Sequence, residues 1–157
     1  MPNWCDNVLV ISKDGCNLES IAKSIKTDGL FGQFIPVPKD LSDQATLDFC
    51  YSNWGVKWEA DVSSWDIDNV AQTLTVSFMT PWYAPKEWLY WMVANGYDVK
   101  GAFWESGMLM GGVYHTNDSS LVWEQDNMVE KGSEMYQLLS SYELIWEDGW
   151  EDTVEQN

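Results

Sequence analysis

Four groups of residues are of types that could support chemistry, and their spacing limits what each could do. His115 is the only histidine, and no serine or cysteine near it falls in a nucleophile motif. Asp61, Asp66 and Asp68 are spaced like part of a metal loop. The Asp66-x-Asp68 pair, however, lacks the glycine and terminal glutamate that a calcium loop needs. Gly107, Gly111 and Gly112 do not make a phosphate-cradling pattern. Cys5, Cys16 and Cys50 are odd in number, lack metal-ligand spacing and read as reduced thiols. No catalytic constellation, cofactor or metal is expected from these groups, and the chain reads as a binding protein.

The elements that must position any site follow from hydrophobic period. Residues 7–12 (NVLVIS) read as a central strand. Asn17 is placed to cap a helix carrying Leu18, Ile21, Ala22 and Ile25, which Asp28-Gly29 ends. The prolines of FIPVPKDL exclude a central strand there, and residues 45–53 suit a short helix. Trp58, Ala60 and Val62 alternate with Glu59, Asp61 and Ser63. Leu74, Val76 and Phe78 alternate with Thr73, Thr75 and Ser77, which predicts two half-buried strands. Asp66 to Asn69 supplies the turn between them. Pro85 opens a helix with Trp88, Trp91 and Met92 on one face, stopped at Asn95-Gly96. Strands are predicted at 97–104 and 109–115, and a C-terminal helix over Met135, Leu138, Leu139 and Tyr142. The order predicts an α+β sandwich: an antiparallel sheet with two helices on one face, then a C-terminal helix and an acidic tail. One domain over residues 1–157 is expected, with a core at 1–115 and an extension at 116–157.

Charge narrows the partners. Twenty-five acidic residues against eight lysines, with no arginine, give a net charge of -17. Phosphate binding needs cations that release counterions, so direct nucleic-acid binding is not expected. The predicted open sheet face, holding Glu59, Asp61, Thr73, Thr75 and Ser77, also lacks the aromatics on which RNA bases stack. No apolar run is long enough to span a bilayer, and MPNWCDNVLV has no basic stretch before an apolar core. A cytoplasmic protein is expected.

Three stretches resemble a known family. They are Met-Pro-Asn-Trp-Cys-x-Asn at the start, Asn53-Trp54-Gly55-Val56-Lys57-Trp58-Glu59, and Thr80-Pro81-Trp82-Tyr83-Ala84-Pro85. With Glu105-Ser106-Gly107 and Gly111, this order is similar to the YubB-type ferredoxin-like domain of phage and plasmid proteins. "Ferredoxin-like" there names a sandwich topology and no iron–sulfur cluster. The resemblance covers about residues 1–115; Ala84-Pro85 stands where relatives tend to carry a double proline. It implies a mobile-element origin and a cytoplasmic setting, and it assigns no reaction.

From these stretches come the candidate ligand-binding residues Asn3, Asn7, Asn53, Trp54, Lys57, Trp82 and Glu105, with Trp4 and Trp58 beside them. Tryptophan rings with asparagines and one lysine suit a small planar or anionic ligand such as a nucleotide signal. The same residue types also tie loops and fill core edges. A second candidate is the acidic C-terminal region, where Trp123, Trp146 and Trp150 are interleaved with charge. Trp146, Glu147, Asp148, Trp150, Glu151 and Asp152 could dock on a basic surface of a host bacterial protein, blunting a defence or regulatory function. A solvated tail has the same composition.

Overall fold

The computed structural model describes residues 2–145. Ten elements run in the order β1 (Trp4–Ser12), α1 (Leu18–Asp28), α2 (Asp43–Asn53), β2 (Asp61–Asp68), β3 (Thr73–Pro81), α3 (Lys86–Ala94), β4 (Asp98–Glu105), β5 (Met110–Asn117), β6 (Ser120–Asp126) and α4 (Glu134–Ser141). Among the described residues the fold is α+β: one six-stranded antiparallel sheet, ordered β2-β3-β1-β4-β5-β6, with four helices.

Alternation decides which helix lies on which face. Cys5, Leu9 and Ile11 of β1, Leu74, Val76 and Phe78 of β3, and Val99 and Phe103 of β4 share one apolar layer. Leu18, Ile21 and Ala22 of α1, Cys50 of α2, and Trp88, Leu89 and Met92 of α3 pack into the same layer. The intervening residues Ala102 and Trp104 point the other way and meet Met135, Tyr136 and Leu139 of α4. Helix α4 therefore covers the second face, over β4 and β5. Gly111 permits this approach, because a Cβ there would lie 2.5 Å from Leu139 Cδ1 and 3.1 Å from Trp104.

Local chemistry sets the helix ends. Asn17 accepts from Ser20 N–H at the start of α1, Ser42 from Ala45 N–H at α2, and Ser133 from Tyr136 N–H at α4.

Several expectations need correction. The strand expected from Trp58 begins only at Asp61, and Asp66 and Asp68 lie within it rather than in a turn. The reason is Glu59, whose carboxylate turns back to accept the N–H groups of Phe31 and Gly32 at 2.7 and 2.8 Å. It is not on the open face. The turn lies after Asp68, whose Oδ1 accepts from Val70 and Ala71 N–H. The boundary expected after residue 115 falls inside β5. The sheet continues into β6 through Asp118 and Ser119, both at positive φ (49° and 61°), the geometry of a tight two-residue hairpin. Trp123 of β6 stacks on Tyr114 and Phe103, with centroids 5.3 and 5.0 Å away, and Lys86 Nζ lies 4.9 Å from its ring centre. It serves the core side of the sheet and not an acidic tail.

Candidate cleft at the Asn3, Trp82 and Glu105 end of the sheet

The polar end of the apolar layer builds the site. Cys5 pairs in register with Thr80 of β3 and with Glu105 of β4, so the start of β1 meets the ends of β3 and β4. Asn7, buried one step further in, donates from Nδ2 to Cys5 O at 3.0 Å and to Thr80 Oγ1 at 2.9 Å. Thr80 Oγ1 donates in turn to Tyr83 O at 2.6 Å. This chain pins the turn that leaves β3. Within that turn Trp82 has φ 62°, a left-handed backbone that a bulky residue rarely adopts. Its N–H donates to Asn3 O at 2.8 Å, and Lys57 Nζ sits 4.0 Å from its ring centre. Trp4 and Trp58 meet edge to face, centroids 6.1 Å apart.

Glu105 is only 2% exposed. Its Oε1 accepts Gly107 N–H at 2.6 Å and its Oε2 accepts Met108 N–H at 3.0 Å, so the carboxylate folds the β4–β5 hairpin around itself. A Cβ on Gly107 would meet Asn3 Nδ2 at 2.7 Å and Glu105 Oε1 at 2.8 Å, so a side chain here would displace one of them.

Between the pinned turn and the hairpin lies a cleft of about 390 Å³, lined by Asn3, Trp82, Tyr83, Glu105, Met108, Met110 and Asn127. Three of the residues singled out in the sequence, from three distant stretches, thus line one cavity. Asn7 supports it from below, and Lys57 braces the Trp82 ring. Asn53 and Trp54 serve elsewhere. Asn53 Nδ2 donates to Phe49 O, and the buried Trp54 ring packs 5.6 Å from Phe31 while Nε1 donates to Ile35 O. Tyr83, Met108, Met110 and Asn127 escaped the sequence reading. Tyr83 follows Trp82 and Met108 follows Gly107, which was the available signal.

Burial also shifts titrations near this end. The Cys5 thiol is pushed up, first by burial and then by the negative charge of Asp6, with the Thr80 hydrogen bond opposing. Partial desolvation raises Asp6 as well, although it lies exposed on β1. Neither favours a thiolate nucleophile.

The remaining candidates are dispersed. His115 is exposed on β5 opposite Lys100, and the two line a shallow groove of about 610 Å³ with Leu138 and Tyr142. Among the described residues, no group of three or more His, Cys, Asp or Glu is placed to hold a metal. No helix among them is long and apolar enough to cross a membrane. Trp146, Glu147, Asp148, Trp150, Glu151 and Asp152 lie outside the described residues. No protein-family model matches the chain, and neither a curated protein nor a solved structure is significantly similar to it.

Proposed function

We propose that this chain is a binding protein and that it binds at the cleft between Asn3, Trp82 and Glu105. The observation that carries this reading is Trp82, a bulky residue kept at φ 62° on the cleft wall by Asn3, with Lys57 against its ring. Such backbone strain persists only where the surroundings impose it, and it concentrates at functional sites.

The partner in this reading is a host bacterial protein, and the chain is a phage-type accessory factor in the cytoplasm that blunts a defence or regulatory function. Support comes from the net charge of -17 and the resemblance of the motif stretches. The resemblance also suggests a ferredoxin-like core, with support from the strand order β2-β3-β1-β4 and from α1 and α3 packing into one layer. A nucleotide ligand is the weaker reading. Lys57 is engaged with Trp82, and the strongly negative chain opposes a phosphate.

Native mass spectrometry of protein gently purified from a bacterial host tests the site. A co-purifying mass that Tyr83→Ala releases supports the cleft. A mass retained by that variant would move the binding site elsewhere.

A further inference from the structure

We infer that the cleft receives a cationic side chain, an arginine or lysine in a basic segment of a partner protein; this rests on the cleft being the binding site. Glu105 carries the argument. Its carboxylate is buried and fixed by two backbone N–H groups, yet no lysine forms an ion pair with it among the described residues. Each carboxylate oxygen keeps a second lone pair that a further donor can engage, and a buried negative group gains most from a cation that also donates hydrogen bonds.

The walls fit the same guest. Trp82 and Tyr83 supply aromatic surfaces, Met108 and Met110 supply soft apolar ones, and Asn3 and Asn127 add polar amides. The Lys57 ammonium, 4.0 Å from the Trp82 ring centre, already engages that ring, so the charge of the guest falls to Glu105 and Tyr83. The volume, about 390 Å³, is near the small end of ligand cavities, which suits one long side chain.

The rim argues for a macromolecule over a free amine. Tyr83 is 54% exposed and Met108 64%, while Met128, next to cleft-lining Asn127, is 71% exposed. A free small cation would leave this apolar surface wet, whereas the residues flanking a basic side chain would cover it. A net charge of -17 would steer a basic segment toward it.

The test uses the full chain with ¹³C-methyl methionine, following the Met108 and Met110 signals by NMR. The probes are acetyl-Leu-Arg-Leu-amide, its citrulline counterpart and methylguanidinium. The arginine peptide should shift both signals saturably and bind about tenfold tighter than the citrulline peptide, with methylguanidinium weaker still. Tyr83→Ala should weaken the arginine peptide about tenfold, while Asp66→Asn on β2, which removes a charge elsewhere, should leave it within about twofold. Equal binding of arginine and citrulline peptides overturns the cationic guest and leaves the cleft as the binding site. Equal binding of methylguanidinium and the arginine peptide overturns the protein source. Equal weakening by Asp66→Asn overturns the site in favour of general charge attraction. Silent methionine signals with every probe overturn the inference, and the mass-spectrometric comparison with Tyr83→Ala then decides the cleft itself.

Discussion

Asn7 of β1 and Thr80 of β3 are diagonal neighbours, 73 residues apart in the chain, joined by a buried 2.9 Å hydrogen bond. Thr80 passes the interaction to the Tyr83 carbonyl, so a core asparagine sets the position of a cleft wall. Buried polar groups of this kind are costly when broken, since each partner left behind stays dry and unpaired.

Thr80→Val keeps the shape and removes the hydroxyl. It orphans one Asn7 N–H and the Tyr83 carbonyl, and should lower stability by about 1–3 kcal/mol. Chemical denaturation measures this. A loss below about 0.5 kcal/mol would mean that the turn is held by other contacts.

Glu59 and Asp6 give the chain a pH signature. Desolvation raises both carboxyls above their usual values of 4.5 and 3.8, although Asp6 lies exposed on β1. The folded state then binds protons more tightly than the unfolded one, so stability falls as pH rises through the window above those values. Asp6→Asn should flatten part of this slope and be neutral or stabilising at pH 7. Glu59→Gln should instead destabilise by about 1–3 kcal/mol, because its amide nitrogen would face an N–H that the carboxylate accepts. Melting curves between pH 3.5 and 7 separate the two behaviours.

Gly111 records how closely α4 approaches the sheet. Gly111→Ala places a methyl against Leu139 inside a packed layer and should cost about 1–3 kcal/mol. Leu139→Ala alone leaves a cavity. The double variant should be less destabilised than the sum, because the new methyl partly refills that space. Additive losses would mean that the helix does not rest there.

Alternation made β3 legible, since Leu74, Val76 and Phe78 all face one layer. The same rule misread β2. Glu59 occupies a polar position in the alternation, but its partners are the N–H groups of a loop 27 and 28 residues earlier, which no local pattern reveals. The edge strand β6 went unread because Ser120–Asp126 is mostly polar and its anchor, Trp123, sits among acidic residues. The cleft divides in the same way. Asn3, Trp82 and Glu105 stand out by residue type, whereas Met110 and Asn127 join them only through the β4–β5 and β5–β6 registers.

Trp82 allows a test that separates backbone strain from side-chain packing. At φ 62° any residue with a Cβ is disfavoured, and glycine is not. Elsewhere glycine is the less stable replacement, because it loses more entropy on folding. Here Trp82→Gly should be more stable than Trp82→Ala by about 1 kcal/mol, although both lose the ring and its contact with Lys57. Both should lose whatever the cleft binds, so the glycine variant would combine the better fold with the absent site. Paired denaturation curves read the order directly. Alanine above glycine would mean that the turn relaxes once the indole is gone, and that the ring itself imposes the left-handed backbone.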